Sequence, residues 1–248
     1  MSLWVIGGLD PTGGAGVLRD RWTAAMLVPD LEVVTVISAH TEQGDGRPAR
    51  SHPTEPSRLA TALRGLGDAR AIKLGLVPAS CVDVVLEALA GLAVPCVLDP
   101  VLHASDGGDL GASVEGLRTL ARAVELVTPN REEARALLGH AGPAQALAAV
   151  LAPAAVLVKD ERAGLDTVCD RLVHGERTVA FERSRVHGPD PRGTGCALAT
   201  AIACARACGD PLELACARAI AWLDRARVHT QLGPDGRAHL PRTGIAFD

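Results

Sequence analysis

The chain predicts an α/β fold in which a central, mostly parallel β-sheet lies between two layers of helices. Three observations lead there. Short apolar, β-branched runs alternate with helix-patterned stretches almost throughout its 248 residues, the pattern of a parallel sheet covered on both faces. Hydrophobic residues make up 48% of the chain but aromatics only 2%, so the core is built of Ala, Leu and Val. Nearly every polar residue with chemical potential follows a predicted strand, and in a parallel sheet those strand ends line up along one edge.

Taken in order, residues 3–6 (Leu-Trp-Val-Ile) read as a buried strand running into Gly7-Gly8-Leu9-Asp10-Pro11-Thr12-Gly13-Gly14-Ala15-Gly16. That loop lacks the Lys of a Walker A motif and does not match the dinucleotide fingerprint. Its glycines let backbone approach a ligand, and Asp10 either caps the helix over 17–27 or accepts hydrogen bonds from a ligand. Residues 32–38 are β-branched and form a strand; His40, Thr41, Glu42 and Gln43 follow as a polar cluster past its end, where His40 is structural or ligand-binding. Helix 57–66, strand 71–76, helix 80–92 and strand 95–101 come next, with Asp99 closing the last strand. Helix 116–123 and strand 125–127 lead to Thr128-Pro129-Asn130-Arg131-Glu132-Glu133, which carries helix-start signals. Helix 144–151 precedes strand 154–159, which ends in Lys159. A strand pair over 166–172 and 178–181, a helix ending at Gly209, a helix over 212–228 and a loop-like tail complete the chain.

The net charge of −4 gives no sign of a nucleic-acid partner. No apolar run reaches membrane-spanning length and no signal peptide precedes the first strand, so a cytoplasmic protein is expected. Seven scattered cysteines without zinc-type spacing point to reduced thiols. Cys204 and Cys208 stand one helical turn apart, as packing residues or as a metal pair.

The stretch Gly193-Thr194-Gly195-Cys196 opens an Ala-rich helix. A glycine-flanked helix N-terminus presents unpaired N–H groups at the positive end of the macrodipole, a site for phosphate; taken alone, the four residues also read as a tight turn with a small core cysteine. The same field is expected to favour the thiolate of Cys196.

With these pieces placed, the chain resembles, nearly end to end, the hydroxymethylpyrimidine and phosphomethylpyrimidine kinases of thiamine biosynthesis in the ribokinase-like superfamily. Residues 8–16 are similar to the family's opening substrate loop, Lys73-Leu74-Gly75-Leu76 to its KIGM segment and Leu98-Asp99-Pro100-Val101 to its LDPVM segment. Thr128-Pro129-Asn130 with Glu133 resembles its TPNxxE block, Leu157-Val158-Lys159 its LVKGG strand, and residues 193–196 its GTGC signature.

The resemblance implies a ribokinase-like three-layer αβα sandwich forming one kinase domain over residues 1–248. It implies transfer of the ATP γ-phosphate to a pyrimidine alcohol or its monophosphate, with Mg²⁺ as cofactor, no nucleic acid or membrane partner, and a homodimeric assembly. Gly193, Thr194 and Gly195 would form the anion hole, with Cys196 as proton acceptor. Gly8, Asp10, Ala15, His40, Leu76 and Val101 would line the pyrimidine pocket. Asn130, Lys159 and Arg192 would contact the nucleotide, and Asp99 and Glu133 would organise the metal. The chain departs from the family pattern in four places. His40 stands for the ring-recognising Gln, with Gln43 nearby; the 104–109 loop has no Lys; Asp160-Glu161-Arg162 replaces the glycines after the strand Lys; and Arg192 replaces His before the anion hole. Arg192 is expected to supply the charge lost with the loop Lys. The alternatives are a pyridoxine or pyridoxal kinase and a pyrimidine-binding protein without turnover.

Overall fold

Alternation along each central strand sends successive side chains to opposite faces and so builds two separate cores. In the first strand, β1 (Ser2–Leu9), Leu3 and Val5 enter one core while Trp4 and Ile6 enter the other. Val97 and Leu98, Leu126 and Val127, and Leu157 and Val158 divide in the same way. The computed structural model describes residues 2–42, 49–104, 107–164, 166–233 and 235–247.

The sheet contains β1, β2 (Glu32–Glu42), β3 (Arg50–Pro53), β4 (Ala69–Leu74), β5 (Cys96–Leu98), β6 (Leu126–Val127), β7 (Ala155–Ala163), β8 (Thr167–His174) and β9 (Arg177–Ser184). Its order is β3-β2-β1-β4-β5-β6-β7-β8-β9. The strands from β2 to β7 pair in parallel, whereas β3 at one edge and the β8–β9 pair at the other run antiparallel. The mostly parallel sheet is therefore as expected.

One face is covered by α1 (Gly16–Leu27), α7 (Thr194–Ala207) and α8 (Leu212–Val228). Ten residues of α7 are buried, mostly Ala, and these small side chains let it lie close to both α1 and α8. The other face carries α2 (Pro56–Ala62), α3 (Val82–Leu89), α4 (Val114–Ala121), α5 (Arg131–Leu138) and α6 (Ala144–Leu151) through residues such as Leu59, Val85, Leu120, Leu137 and Leu147. The tail is not a plain loop: β10 (Gln231–Leu232) and β11 (Ala238–His239) form a short antiparallel hairpin.

The expected strand ending at residue 38 is longer. It continues to Glu42 because Ala39, His40, Thr41 and Glu42 pair with Pro53, His52, Ser51 and Arg50 of β3. Among the described residues no helix is long and apolar enough to cross a membrane. Cys204 is buried in the core while Cys208 is exposed, and the described residues contain no cluster of three His, Cys, Asp or Glu placed to hold a metal.

Candidate active site

The carboxyl ends of the parallel strands open onto a cavity of about 660 Å³. Gly8 enters it from the end of β1, Asp10 and Ala15 from the loop after β1, Leu76 from the segment after β4, and Asp99 and Val101 from the segment after β5. Asn130, Glu133 and Lys159 line its next wall, and residues 192–196 close it where α7 begins.

Gly193 is the N-cap of α7 and has φ 74°, in the left-handed region. A Cβ there would also collide with the Gly14 carbonyl oxygen, so conformation and space both require glycine. The first intrahelical bond runs from the Ala197 amide to the Gly193 carbonyl at 2.9 Å, and no side chain caps this end. The first-turn amides thus lack an intrahelical acceptor and face the cavity as an anion cradle. Gly195 keeps that cradle open: a Cβ on it would stand 3.2 Å from Lys159 Nζ and 3.3 Å from both Asp99 carboxylate oxygens.

Lys159 donates to Asp99 Oδ1 at 3.1 Å and lies 3.9 Å from Glu133 Oε2. A register shift between Val158 and Arg162 aims it into the cavity, with Asp160 at φ 54°. Burial opposes its charge, but Asp99 and Glu133 outweigh that and hold its pKa above the ordinary lysine value. Burial, and then Asp99, push the Glu133 carboxyl up to about 7 against the pull of Lys159. Asn130 and Glu133 also form a capping box: the Glu133 amide donates to Asn130 Oδ1 at 2.9 Å and the Asn130 amide to Glu133 Oε2 at 2.8 Å. The capping reading of this block is real and coexists with its place in the cavity.

Cys196 corrects one expectation. Its thiol is pushed up to about 12, chiefly by burial, with Lys73 and the Gly16 amide pulling the other way. Desolvation of the charged form exceeds the helix-terminus effect, so the residue rests as a thiol.

Arg192 corrects another. Its guanidinium is buried, donating from Nη2 to Asp10 Oδ2 at 3.1 Å and from Nη1 to Asp235 Oδ2 at 2.7 Å. Two carboxylates already balance its charge, so it anchors the walls rather than replacing the absent loop Lys. Asp10 is equally committed. Oδ1 accepts from the Thr12 amide (3.0 Å) and hydroxyl (2.8 Å), and Oδ2 from the Ala15 amide (3.1 Å) and Arg192. Four donors fill its acceptor sites, so Asp10 shapes the loop.

His40 is exposed and does not line the cavity, whereas its neighbour Thr41 is buried and does. Because β2 extends through these positions, its two-residue period turns His40 outward. Gln43, Ser105 and Asp106 lie outside the described residues.

Residues missed in the sequence include Thr41, Asp235 with His239, and the buried Lys73–Asp20 pair. A lysine inside the otherwise apolar run 71–76 was the available signal for the last.

The first turn of α7 thus meets a lysine–carboxylate cluster at the edge of the sheet in a three-layer αβα sandwich, an arrangement whose chemistry suits phosphoryl transfer. The phosphomethylpyrimidine kinase family model matches residues 10–240. A hydroxymethylpyrimidine/phosphomethylpyrimidine kinase of Streptomyces coelicolor is 33% identical over 224 residues, covering 85% of this chain and 82% of the relative. One from Rhizobium meliloti is 30% identical over 237 residues, covering 89% of this chain and 88% of the relative. The chain belongs to the phosphomethylpyrimidine kinase family. Among solved structures, pyridoxal kinase from Staphylococcus aureus in complex with ADP superposes with a TM-score of 0.84 at 20% identity, covering 97% of this chain and 93% of that one. Phosphomethylpyrimidine kinase from Clostridium difficile gives 0.74 at 23% identity, covering 91% of this chain and 99% of that one. At these identities the likeness concerns the fold.

Proposed function

We propose that this chain transfers the γ-phosphoryl group of ATP to hydroxymethylpyrimidine and to its monophosphate, as one kinase domain dependent on Mg²⁺. The observation that carries this reading is the open cradle of residues 193–196, kept clear by Gly195 beneath Lys159 and Asp99.

In this reading the first-turn amides of α7 bind the transferring phosphoryl group and Lys159 neutralises charge beside it. Such positioned donors supply most of the rate in phosphoryl transfer. Asp99 and Glu133 suit Mg²⁺ arriving with the nucleotide, since that ion takes one or two carboxylates plus phosphate oxygens. The fit rests on the donors: two carboxylates, Asp99 at 3.1 Å and Glu133 at 3.9 Å, share the single Lys159 ammonium, so a further cation there would meet oxygen ligands. When bound, the ion would supply positive charge that offsets the phosphates, with Asp99 and Glu133 as the residues that would hold it. Cys196, a thiol at rest, first gives its proton to solvent; as a thiolate it then accepts the acceptor hydroxyl's proton, while the oxygen bonds to phosphorus and the bond to the ADP oxygen breaks. Gly8, Ala15, Thr41, Leu76 and Val101 surround the ring.

The test is incubation with ATP, Mg²⁺ and each candidate alcohol, followed by mass analysis, with Cys196→Ser and Cys196→Asp alongside. Phosphorylation of the pyrimidine, a loss of about 10²–10⁴-fold in kcat for Cys196→Ser and partial recovery in Cys196→Asp support the reading. Transfer to pyridoxal alone, or no transfer, overturns the substrate or the activity.

A further inference from the structure

Below the cavity floor, three fully buried polar side chains form a connected group that the mechanism above does not use. Asp20 on α1 accepts from Lys73 Nζ at 2.9 Å through one carboxylate oxygen and from Thr200 Oγ1 at 2.8 Å through the other. Each of the three is 0% exposed. Burying an ion pair removes two charges from water, a cost its mutual attraction seldom exceeds, and Lys73 sits between the core residues Ile72 and Leu74.

The group is directional. Lys73 lines the cavity, whereas Asp20 and Thr200 do not, so the ion pair is a fixed dipole with its ammonium at the floor. Gly75 leaves room for it: a Cβ there would stand 2.8 Å from Lys73 Nζ. Burial disfavours both charges and raises the Asp20 carboxyl against the pull of Lys73 and Thr200, but at Lys73 the attraction of Asp20 outweighs burial and holds the ammonium above the ordinary lysine value. Thr200 lies one helical turn beyond Cys196 on α7, so Asp20 is tied to the same helix that carries the sulfur. The charged groups that act on Cys196 are Arg19 and Asp20 from α1, Lys73 from β4, Asp99 after β5 and Lys159 from β7. Of the charges acting on that sulfur, Lys73 pulls most strongly toward the thiolate.

We propose that Lys73, held by Asp20 and Thr200, is a positioning residue for the phosphoryl transfer, presenting a positive pole at the floor of the cavity it shares with Cys196 and so easing loss of the thiol proton there. The inference rests on the kinase reading and on Cys196 as proton acceptor. The balance is complete without another reagent. The resting S–H bond first breaks with loss of its proton to solvent; the acceptor O–H bond then breaks as the S–H bond re-forms, and the oxygen bonds to phosphorus as ADP departs, which restores the resting thiol.

A double-mutant cycle tests this. Lys73→Met is expected to lower kcat by about 10²-fold when Cys196 is present, with KM for ATP changed less than about 3-fold. In a Cys196→Ser background the same change should cost less than about 3-fold, because coupled residues are not additive. Equal losses in both backgrounds would show a purely structural role and overturn the proposal. Should Lys73→Met fail to fold with Asp20 left unpaired, Lys73→Met/Asp20→Leu removes both charges and Thr200→Val removes only the hydroxyl tether. The double variant enters the same cycle in place of Lys73→Met. A second readout does not depend on turnover: the rate of Cys196 alkylation by iodoacetamide, followed by peptide mapping. A rate about tenfold lower in the charge-deleted variant supports the proposal, and an unchanged rate overturns it even if the wild-type chain phosphorylates none of the alcohols offered.

Discussion

Arg192 and Asp10 meet at 3.1 Å with side chains 3% and 2% exposed, joining the loop after the first strand to the turn that opens α7. The same guanidinium reaches Asp235, which also holds His239 Nε2 at 2.8 Å. The Arg192 amide donates to the Ala238 carbonyl at 2.8 Å. One side chain therefore fixes three separate segments around the cavity mouth.

Removing Arg192 should be costly to the fold as well as to the site. Arg192→Ala leaves two buried carboxylates without their cation, a loss of about 3–5 kcal/mol. The expected result is a clear fall in Tm and a higher KM for the acceptor, with Arg192→Lys intermediate because it cannot fork between two partners. Thermal melts and steady-state kinetics check this. An Arg192→Ala variant with wild-type Tm would show that the network contributes little.

The two cradle glycines should separate cleanly. Gly195→Val places methyl groups against Lys159 and Asp99 without demanding an unusual backbone, so kcat should drop by about 10²–10³-fold with little change in Tm. Gly193→Ala must enter the left-handed region and press on Gly14, so it should lose stability first. Circular dichroism melts beside kcat for both variants decide the matter, and the reverse pattern would refute the assignment.

For the acceptor pocket, His40→Ala should leave KM for both substrates nearly unchanged, since the imidazole is outside the cavity. Thr41→Val keeps the shape but deletes a hydroxyl that donates to the Leu9 carbonyl at 3.0 Å, and should raise KM for the pyrimidine more than KM for ATP. A large acceptor effect from His40→Ala would return the recognition role to that residue.

Glu133 makes a pH prediction. Its folded pKa of about 7 lies above the ordinary 4.5, so the folded state holds this proton more tightly than the unfolded chain. The stability gained from that proton is complete below the unfolded value and disappears as pH rises through 7. Glu133→Gln preserves the capping box and removes the cost of a buried charge. Its Tm should exceed that of the wild type at pH 8 and nearly match it at pH 5. A Tm difference independent of pH would contradict the assigned shift.

The layers, the mostly parallel sheet and the glycine-flanked start of α7 were legible because they rest on local signals: β-branched runs, an Ala-rich helix, glycines where backbone must approach. Helices 144–151 and 212–228 have the expected bounds. What escaped depends on long-range pairing. Whether His40 or Thr41 faces the cavity is decided by β3, whose residues 50–53 carry no strong strand pattern. The fate of Arg192 is decided by Asp235, 43 residues further on. The protonation of Cys196 is decided by how completely α1, β4 and β5 remove water from one helix end, and no local pattern records that.

The resting thiol also bears on how the protein meets oxidants. Peroxides attack sulfur through the thiolate, and susceptibility follows ionisation and exposure. Cys196 is half-buried and protonated, while Cys208, which caps the other end of the same helix, is exposed and free. Oxidative damage should therefore begin at Cys208, at the far end of α7, before it reaches the sulfur of the cradle. The desolvation that makes Cys196 a reluctant base also shelters it.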